Sequence, residues 1–166
     1  EGNTIDGKNR QTNGVYINDG DKNVVTNNML RGHLYSGVVL AGTAASNEVW
    51  GNIIRSNSSI GVLLDGDTAD ANRIASNAID SGASGAFQDL GVYISGGDAN
   101  IVTNNTIRGQ SLYGVVMDQR SASNVIVANR ILSNAAFGVS LQGVVSHGNR
   151  IIRNILSGNA DAGVQM

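Results

Sequence analysis

The sequence contains no cysteine and no proline, and charged residues make up only 14% of its 166 residues. Without cysteine the chain can form neither a disulfide framework nor a thiolate metal site. The absence of proline suits a chain of strand ladders, in which every backbone N–H is needed. The formal net charge of −2 excludes the strongly basic face of a typical nucleic-acid-binding protein. No apolar run approaches the roughly 18 residues that a membrane-spanning helix needs.

Glycine and asparagine, by contrast, recur at intervals of about 24 residues. Each repeat reads Asn-x-[Val/Ile]-x-x-Asn-x-[Ile/Leu], followed by a variable stretch and then Gly-Val-x-[Ile/Leu/Met]. A fixed period of this length is typical of solenoid proteins. The glycines of the Gly-Val pairs are Gly14, Gly37, Gly61, Gly91, Gly114, Gly138 and Gly163.

Three short apolar segments in each repeat predict the fold. Within a segment the inward residues alternate and are mostly Val, Ile or Leu, which is typical of strands. We therefore expect an all-β protein, a right-handed single-stranded parallel β-helix of about seven coils with roughly 24 residues and three short strands per coil. Successive coils should lie about 4.8 Å apart. The asparagines should form ladders at the corners, where Asn and Gly also tolerate left-handed backbone.

A second level of repetition concerns the domain organisation. A shift of 77 residues aligns 14–83 with 91–160, and Gly-Val-Tyr-Ile then occurs at both 14–17 and 91–94. We expect a single domain over residues 1–166, internally duplicated as 14–90 and 91–166, with an extra loop at 81–85. Neither end carries the polar cap of a terminal solenoid repeat, so we expect a segment of a longer chain.

This three-part pattern resembles the β-helix repeats of the pectin-lyase-like superfamily. That group includes pectate lyases, mannuronan C-5 epimerases, copper-site maturation proteins of the NosD type, tailspikes and bacterial surface proteins. The resemblance covers nearly the whole chain and implies the scaffold. The epimerase motif Tyr-Gly-Phe-Asp-Pro-His is matched only in part by the segment from Tyr113 to Asp118. Val116 stands where that motif has Asp and Asp118 where it has His, so the acid–base pair of the epimerases is not implied.

Lyases and epimerases of this fold usually carry their chemistry on the outward positions of the Gly-Val strand. Here, the position two residues after the glycine is largely apolar. Such a strip predicts contact with a partner subunit or a second copy, sugar rings stacked on its tyrosines, or a merely tolerated apolar surface. We call these residues the outward strip: Tyr16, Val39, Leu63, Tyr93 and Val116.

Two carboxylates, Asp65 and Asp118, occupy the next outward position in coils two apart. Their expected separation of about 9.5 Å falls near the upper end of the range for inverting glycosidases. Together with Tyr113 they are the catalytic candidates. Any two acids two coils apart would give this spacing, however, and the pattern favours solvated surface carboxylates.

Asp65, Asp67 and Asp70 are the candidates for a Ca²⁺ site at a corner. The EF-hand spacing fails because no Glu occupies the twelfth place, and Asp and Gly in turns explain the segment. The two histidines, His33 and His147, have no carboxylate or histidine at ligand spacing, so we expect surface positions for both. No other cofactor is expected.

The position three residues after the second Asn is charged in the first five repeats and is Leu132 and Ser157 in the last two. This alignment predicts a stacked charge ladder in which each exposed pair contributes about 0.2–1 kcal/mol. The alternative is a groove for an anion or an acidic sugar along Arg31 and Arg55. We call these residues the arginine column: Asp6, Arg31, Arg55, Asp80 and Arg108.

Together these patterns favour a secreted or cell-surface bacterial module with a structural or binding role. It would contact polysaccharide, or associate with itself or a partner subunit, through the outward face of the Gly-Val strand. The alternative is a carbohydrate-active enzyme (a polysaccharide lyase, epimerase or glycosidase) whose catalytic set is incomplete in this chain. Neither nucleic acid nor a membrane is expected as a partner.

Overall fold

A computed structural model describes residues 1–82, 87–118, 120–143 and 147–166. These residues form short parallel strands and no helix, and hence no helix able to cross a membrane. Residues 83–85 of the expected loop lie outside the described residues. The strands build three sheets, and each strand pairs with the strand one coil before and one coil after it.

Sheet 1 consists of β1 (Thr4–Asp6), β4 (Met29–Arg31), β7 (Ile53–Arg55), β10 (Ala78–Asp80), β13 (Thr106–Arg108), β16 (Arg130–Leu132) and β19 (Ile155–Ser157). Sheet 2 consists of β2 (Asn13–Asn18), β5 (Ser36–Ala41), β8 (Ile60–Asp65), β11 (Leu90–Ser95), β14 (Tyr113–Asp118), β17 (Phe137–Leu141) and β20 (Ala162–Gln165). Sheet 3 consists of β3 (Val24–Thr26), β6 (Glu48–Trp50), β9 (Arg73–Ala75), β12 (Ile101–Thr103), β15 (Val125–Val127) and β18 (Arg150–Ile152).

The parallel β-helix with three strands per coil is therefore confirmed. Register is kept from coil to coil: Leu30 pairs with Ile5 on one side and with Ile54 on the other. The central residue of each short strand points inward, because a period of two in a three-residue strand leaves one inward position. The inward side chains stack into one continuous core that includes Ile79 and Ile107, both fully buried.

Lack of space for a side chain, and not backbone conformation, explains the glycines of the Gly-Val pairs except Gly163, where a Cβ would have no contact shorter than 3.4 Å. A Cβ on Gly61 would lie 2.6 Å from the carbonyl oxygen of Gly91 and 2.6 Å from Cγ2 of Ile79. None of the seven glycines has a positive φ. A side chain at this position would push neighbouring coils apart.

The left-handed backbone at the corners lies one residue before each ladder asparagine, and not at it, so the expectation was wrong for these asparagines. Glycine adopts it as expected at Gly2, Gly51 and Gly148, with φ of 70°, 67° and 69°. The other preceding residues have φ between 53° and 57° whatever their type: Lys22, Asn27, Ser46, Ala71, Ser76, Ala99, Asn104, Ser123, Ala128 and Arg153. The asparagines are needed instead for their side-chain hydrogen bonds.

Two asparagine ladders run along the corners, as predicted. In the first, the main-chain N–H and Nδ2 of Asn52 donate to Oδ1 of Asn77 at 2.9 and 3.0 Å, and the same contact recurs from coil to coil. Nδ2 of Asn77 also donates to the carbonyl oxygen of Val49 in the preceding coil, at 2.8 Å. Each side chain thus satisfies buried backbone groups that a corner would otherwise leave unpaired. The ladders contain Asn3, Asn28, Asn52, Asn77, Asn105, Asn129 and Asn154, and Asn23, Asn47, Asn72, Asn100, Asn124 and Asn149.

A third ladder, which the sequence pattern did not reveal, fills the corner between sheet 1 and sheet 2. Its members differ in type and spacing: His33, Asn57, Gln88, Gln110, Asn134 and Asn159. His33 is fully buried, which corrects the surface position expected for it. Its Nδ1 lies 2.8 Å from Oδ1 of Asn57, so the imidazole takes the place of an asparagine amide.

Candidate functional site

The outward strip is less open than its apolar composition predicted. Val39, Leu63 and Val116 are only 2%, 5% and 4% exposed. Val39 and Leu63 pack into a second small apolar cluster outside the main core, against which Tyr93 also lies. Six-residue strands place several side chains side by side on the outer face of sheet 2, and these neighbours cover the middle of each strand. Only Tyr16, at 58%, is well exposed.

A cleft of about 230 Å³ lies on this outer face, over β11 and β14, and Ser59 and Gln142, which adjoin β8 and β17, complete its lining. We call it the sheet 2 cleft. Its apolar side includes Tyr113, whose ring stacks on that of Phe137 with centroids 5.6 Å apart and planes 11° from parallel. The lining residues are Ser59, Asp89, Leu90, Tyr93, Leu112, Tyr113, Val116, Asp118 and Gln142.

Tyr93 and Asp118 form the polar centre of the cleft. The phenol O–H of Tyr93 donates to Oδ2 of Asp118 at 2.6 Å. Oδ1 of Asp118 is buried and has no hydrogen-bond partner within the described part of the chain. Burial of the ring, followed by its hydrogen bond to Asp118, raises the pKa of Tyr93 to about 12. The arrangement therefore holds a protonated phenol beside a carboxylate with a free acceptor atom.

The raised pKa of Tyr93 predicts a loss of stability at alkaline pH. The unfolded chain releases the phenol proton near pH 10 and the folded chain near pH 12. The contribution of Tyr93 to the free energy of unfolding is therefore complete below pH 10 and is lost as the pH rises towards 12. Since the ring is partly exposed, we expect a loss of about 1 kcal/mol. Urea unfolding of the wild type and of Tyr93→Phe across this range measures it. Parallel curves for the two proteins would contradict the assignment.

Of the catalytic candidates, the structure brings Asp118 and Tyr113 into the cleft but leaves Asp65 out of it. Asp65 and Asp118 pair in register with Ser95 from opposite sides, which makes them two strands apart, as the spacing predicted. Asp65 is exposed and does not line the cleft. The second carboxylate there is Asp89, which accepts a hydrogen bond from Oγ of Ser111. Sequence reasoning missed Asp89 because it follows the inserted residues that break the repeat.

The acidic corner residues serve mainly as links between coils. Oδ1 of Asp70 accepts the main-chain N–H of Asp98 at 2.7 Å, and Oδ1 of Asp98 accepts that of Ala122 at 2.7 Å. Among the described residues, no three His, Cys, Asp or Glu side chains are grouped so as to hold a metal ion. Asp65 is the last residue of β8, and Asp70 links its coil to the next, so a Ca²⁺ site at Asp65, Asp67 and Asp70 stays a prediction.

The arginine column lies on the outer face of sheet 1. Nε and Nη2 of Arg31 donate to Oδ2 of Asp6 at 3.1 and 2.8 Å, and Arg108 binds Asp80 at 2.7 and 2.6 Å. The main-chain N–H of Lys8, followed by Arg31, holds the pKa of Asp6 below its usual value. Arg55 forms no such pair among the described residues, although it lies between Arg31 and Asp80 in register. The predicted ladder is thus two separate ion pairs flanking Arg55.

The fold and its repeats define this molecule as a parallel β-helix protein. Residues 9–165 match the family model described as periplasmic copper-binding protein (NosD). The chain therefore belongs to the NosD family. No curated protein sequence matches it at a significant level.

Solved structures similar to the chain share its fold at low sequence identity. The A-module of the Azotobacter vinelandii mannuronan C-5 epimerase AlgE4 has a TM-score of 0.75 and 16% identity, covering 93% of this chain and 52% of that one. The periplasmic alginate epimerase AlgG has a TM-score of 0.71 and 16% identity, covering 85% and 42%. The enzymatically active domain of bacteriophage CBA120 tailspike protein 2 has a TM-score of 0.69 and 11% identity, covering 89% and 22%. This chain thus spans about half of these structures or less.

The residues present do not fit a copper site. Copper favours thiolate, thioether and imidazole ligands. The chain has no cysteine, and Nδ1 of His33 is engaged with Asn57 in the third ladder. Nε2 of His33 is buried without a hydrogen-bond partner, but among the described residues it belongs to no group of three His, Cys, Asp or Glu side chains that could hold a metal ion. Met117 is fully buried in the core beneath sheet 2, whereas Met29 belongs to sheet 1. No step of the function proposed below depends on copper.

Proposed function

We propose that this protein is a periplasmic or cell-surface bacterial β-helix module that binds polysaccharide through the sheet 2 cleft. The observation that carries the proposal is the composition of the cleft, in which Tyr113, whose ring stacks on Phe137 outside the lining, adjoins two carboxylates and an amide. The family description and the name of AlgG, both of which include the word periplasmic, support the location. The names of the two epimerases, which refer to mannuronan and alginate, support a polysaccharide as the ligand.

The chemistry of the cleft suits a sugar ring. A pyranose presents an apolar face of C–H groups and a rim of hydroxyl groups, and binding sites for such ligands combine aromatic side chains with a few placed polar groups. Tyr113 and the half-exposed Leu112 offer the apolar surface. Asp89, Asp118 and Gln142 offer acceptors and donors for hydroxyl groups.

Removing the aromatic surface tests this function. Titration calorimetry against a panel of neutral and acidic polysaccharides should detect binding to the wild type, and Tyr113→Ala should weaken it about tenfold, since a ring stack of this kind contributes roughly 1.4 kcal/mol. Trp50→Ala is the control, because Trp50 is an exposed aromatic residue on sheet 3, away from the cleft. If no polysaccharide binds the wild type, or if both variants bind as the wild type does, the proposal fails.

The second candidate function is that of a carbohydrate-active enzyme. It is favoured by the unpartnered Oδ1 of Asp118 beside the protonated Tyr93, since a carboxylate and a phenol can together accept and donate a proton. Release of reducing ends or of unsaturated uronates from a polysaccharide that binds would support it. Association of the protein with itself through the outward strip has weaker support, because the middle of that strip is already covered by its own neighbours.

A further inference from the structure

We propose that the arginine column forms an oxyanion-binding site, separate from the sheet 2 cleft, in which Arg31 and Arg55 bind one carboxylate, sulfate or phosphate group between them. The site lies on a different sheet from the sheet 2 cleft. It does not depend on the polysaccharide proposal.

The first argument is the distribution of charge along the column. Register places Arg55 directly beside Arg31 in the neighbouring strand, about 4.8 Å away in the backbone. Like charges directly opposite each other in a sheet are destabilising. Asp80, the neighbour of Arg55 on the other side, is engaged by Arg108 through both Nε and Nη2. Two cations therefore lie side by side, and only Arg31 has a carboxylate of its own within the described residues.

The second argument is the shape of the surface next to these two residues. A cleft of about 610 Å³ is lined by Arg31, by Ser56, which directly follows Arg55, and by Lys8 and Asn9 from the preceding coil. These side chains donate hydrogen bonds, and Lys8 and Arg31 bring two positive charges into the lining. Arg55 lies outside the lining, beside Arg31 in the neighbouring strand. Asp6 is the only acid in the lining, and it is held by Arg31. This region is thus locally cationic on a chain whose net charge is −2.

The chemistry of the two side chains defines the ligand. Guanidinium groups bind carboxylate, sulfate and phosphate oxygens in a bidentate manner, whereas chloride is a single atom and cannot present two acceptor oxygens. An oxyanion placed between Arg31 and Arg55 would replace their mutual repulsion with attraction. Because such a ligand binds the folded state only, it should also raise the melting temperature of the protein.

The test is thermal unfolding of the whole chain in sodium chloride, acetate, sulfate and phosphate at matched ionic strength. At about ten times the Kd, the bound oxyanion should raise Tm by about 3 °C over chloride. Arg55→Gln should abolish this difference. Arg130→Gln should keep it, because Arg130 is an exposed arginine of the same sheet with uncharged neighbours, Thr106 and Ile155, in register. A shift with acetate identifies a carboxylate ligand, and a shift with sulfate and phosphate alone identifies a tetrahedral anion.

General salt effects would raise the Tm of the wild type and of Arg55→Gln equally. Sulfate and phosphate stabilise proteins by exclusion from their surface, and this effect does not depend on one arginine. Equal oxyanion shifts in the wild type and in Arg55→Gln would therefore overturn the proposal, as would equal shifts in oxyanions and chloride. Since Arg55 is exposed and its removal relieves repulsion, the variant should fold with a Tm in chloride no lower than that of the wild type.

Discussion

Replacing Asn77 with alanine is expected to lower the free energy of unfolding by about 3 kcal/mol, because it leaves buried polar groups without partners. The buried main-chain N–H of Asn52 would lose its only acceptor, Oδ1 of Asn77, and the carbonyl oxygen of Val49 would lose the Nδ2 donor. The contact between Nδ2 of Asn77 and Oδ1 of Asn105 would also disappear. Urea unfolding followed by circular dichroism measures the change.

Asn18→Ala is the matched control for Asn77→Ala. Asn18 is exposed at the end of β2, and its side chain bonds only to the adjacent Asp19. We therefore expect a change within about 0.5 kcal/mol for this variant. Equal effects of the two substitutions would show that the corner asparagines contribute through backbone preference and not through the ladder.

The second large effect is expected at the core. Ile54→Ala should lower the free energy of unfolding by about 2–5 kcal/mol, because it removes three carbon atoms from a fully buried side chain and leaves a cavity between the coils. The neighbouring coils cannot close on this cavity, since their spacing is held by the strand ladders on either side.

Its neighbour Ile53 provides the control in the same strand. Ile53 points outward from β7 and is 44% exposed, whereas Ile54 is fully buried. Ile53→Ala should therefore cost less than about 1 kcal/mol in the same urea titration. A larger loss for Ile53→Ala than for Ile54→Ala would mean that the inward and outward faces of sheet 1 are reversed.

The features that could be predicted from the sequence are those that repeat. A strand residue such as Ile54 recurs at the same place in every coil, so its inward direction follows from the period and from alternation. The two asparagine ladders are visible for the same reason. The third ladder is not, because His33 and Gln88 replace asparagine there and the spacing changes from coil to coil. Side chains of different types can occupy the same position of the third ladder, provided that each places a polar atom within hydrogen-bond distance of the next coil.

The candidate site was predicted only in part. Asp118 and Tyr93 were recognised as outward residues from their distance to the Gly-Val pair, and Tyr113 was singled out by the partial match to the epimerase motif. All three line the sheet 2 cleft. Asp89 was missed, since the residues inserted before it shift it out of the repeat. The exposure of Val39 was also wrongly predicted, because alternation gives the direction of a side chain but says nothing about how neighbours cover it.

The sequence by itself determined the solenoid, the three strands of each coil and the register between coils, because these depend on local spacing that recurs at about 24 residues. The tertiary structure alone decided which outward residues meet. It joined Tyr93 to Asp118, paired Asp80 with Arg108 and, within the described residues, left Arg55 beside Arg31 with no ion pair of its own. The physical reason is that side chains in adjacent coils compete for the same partners, and the outcome depends on their rotamers and reach in three dimensions.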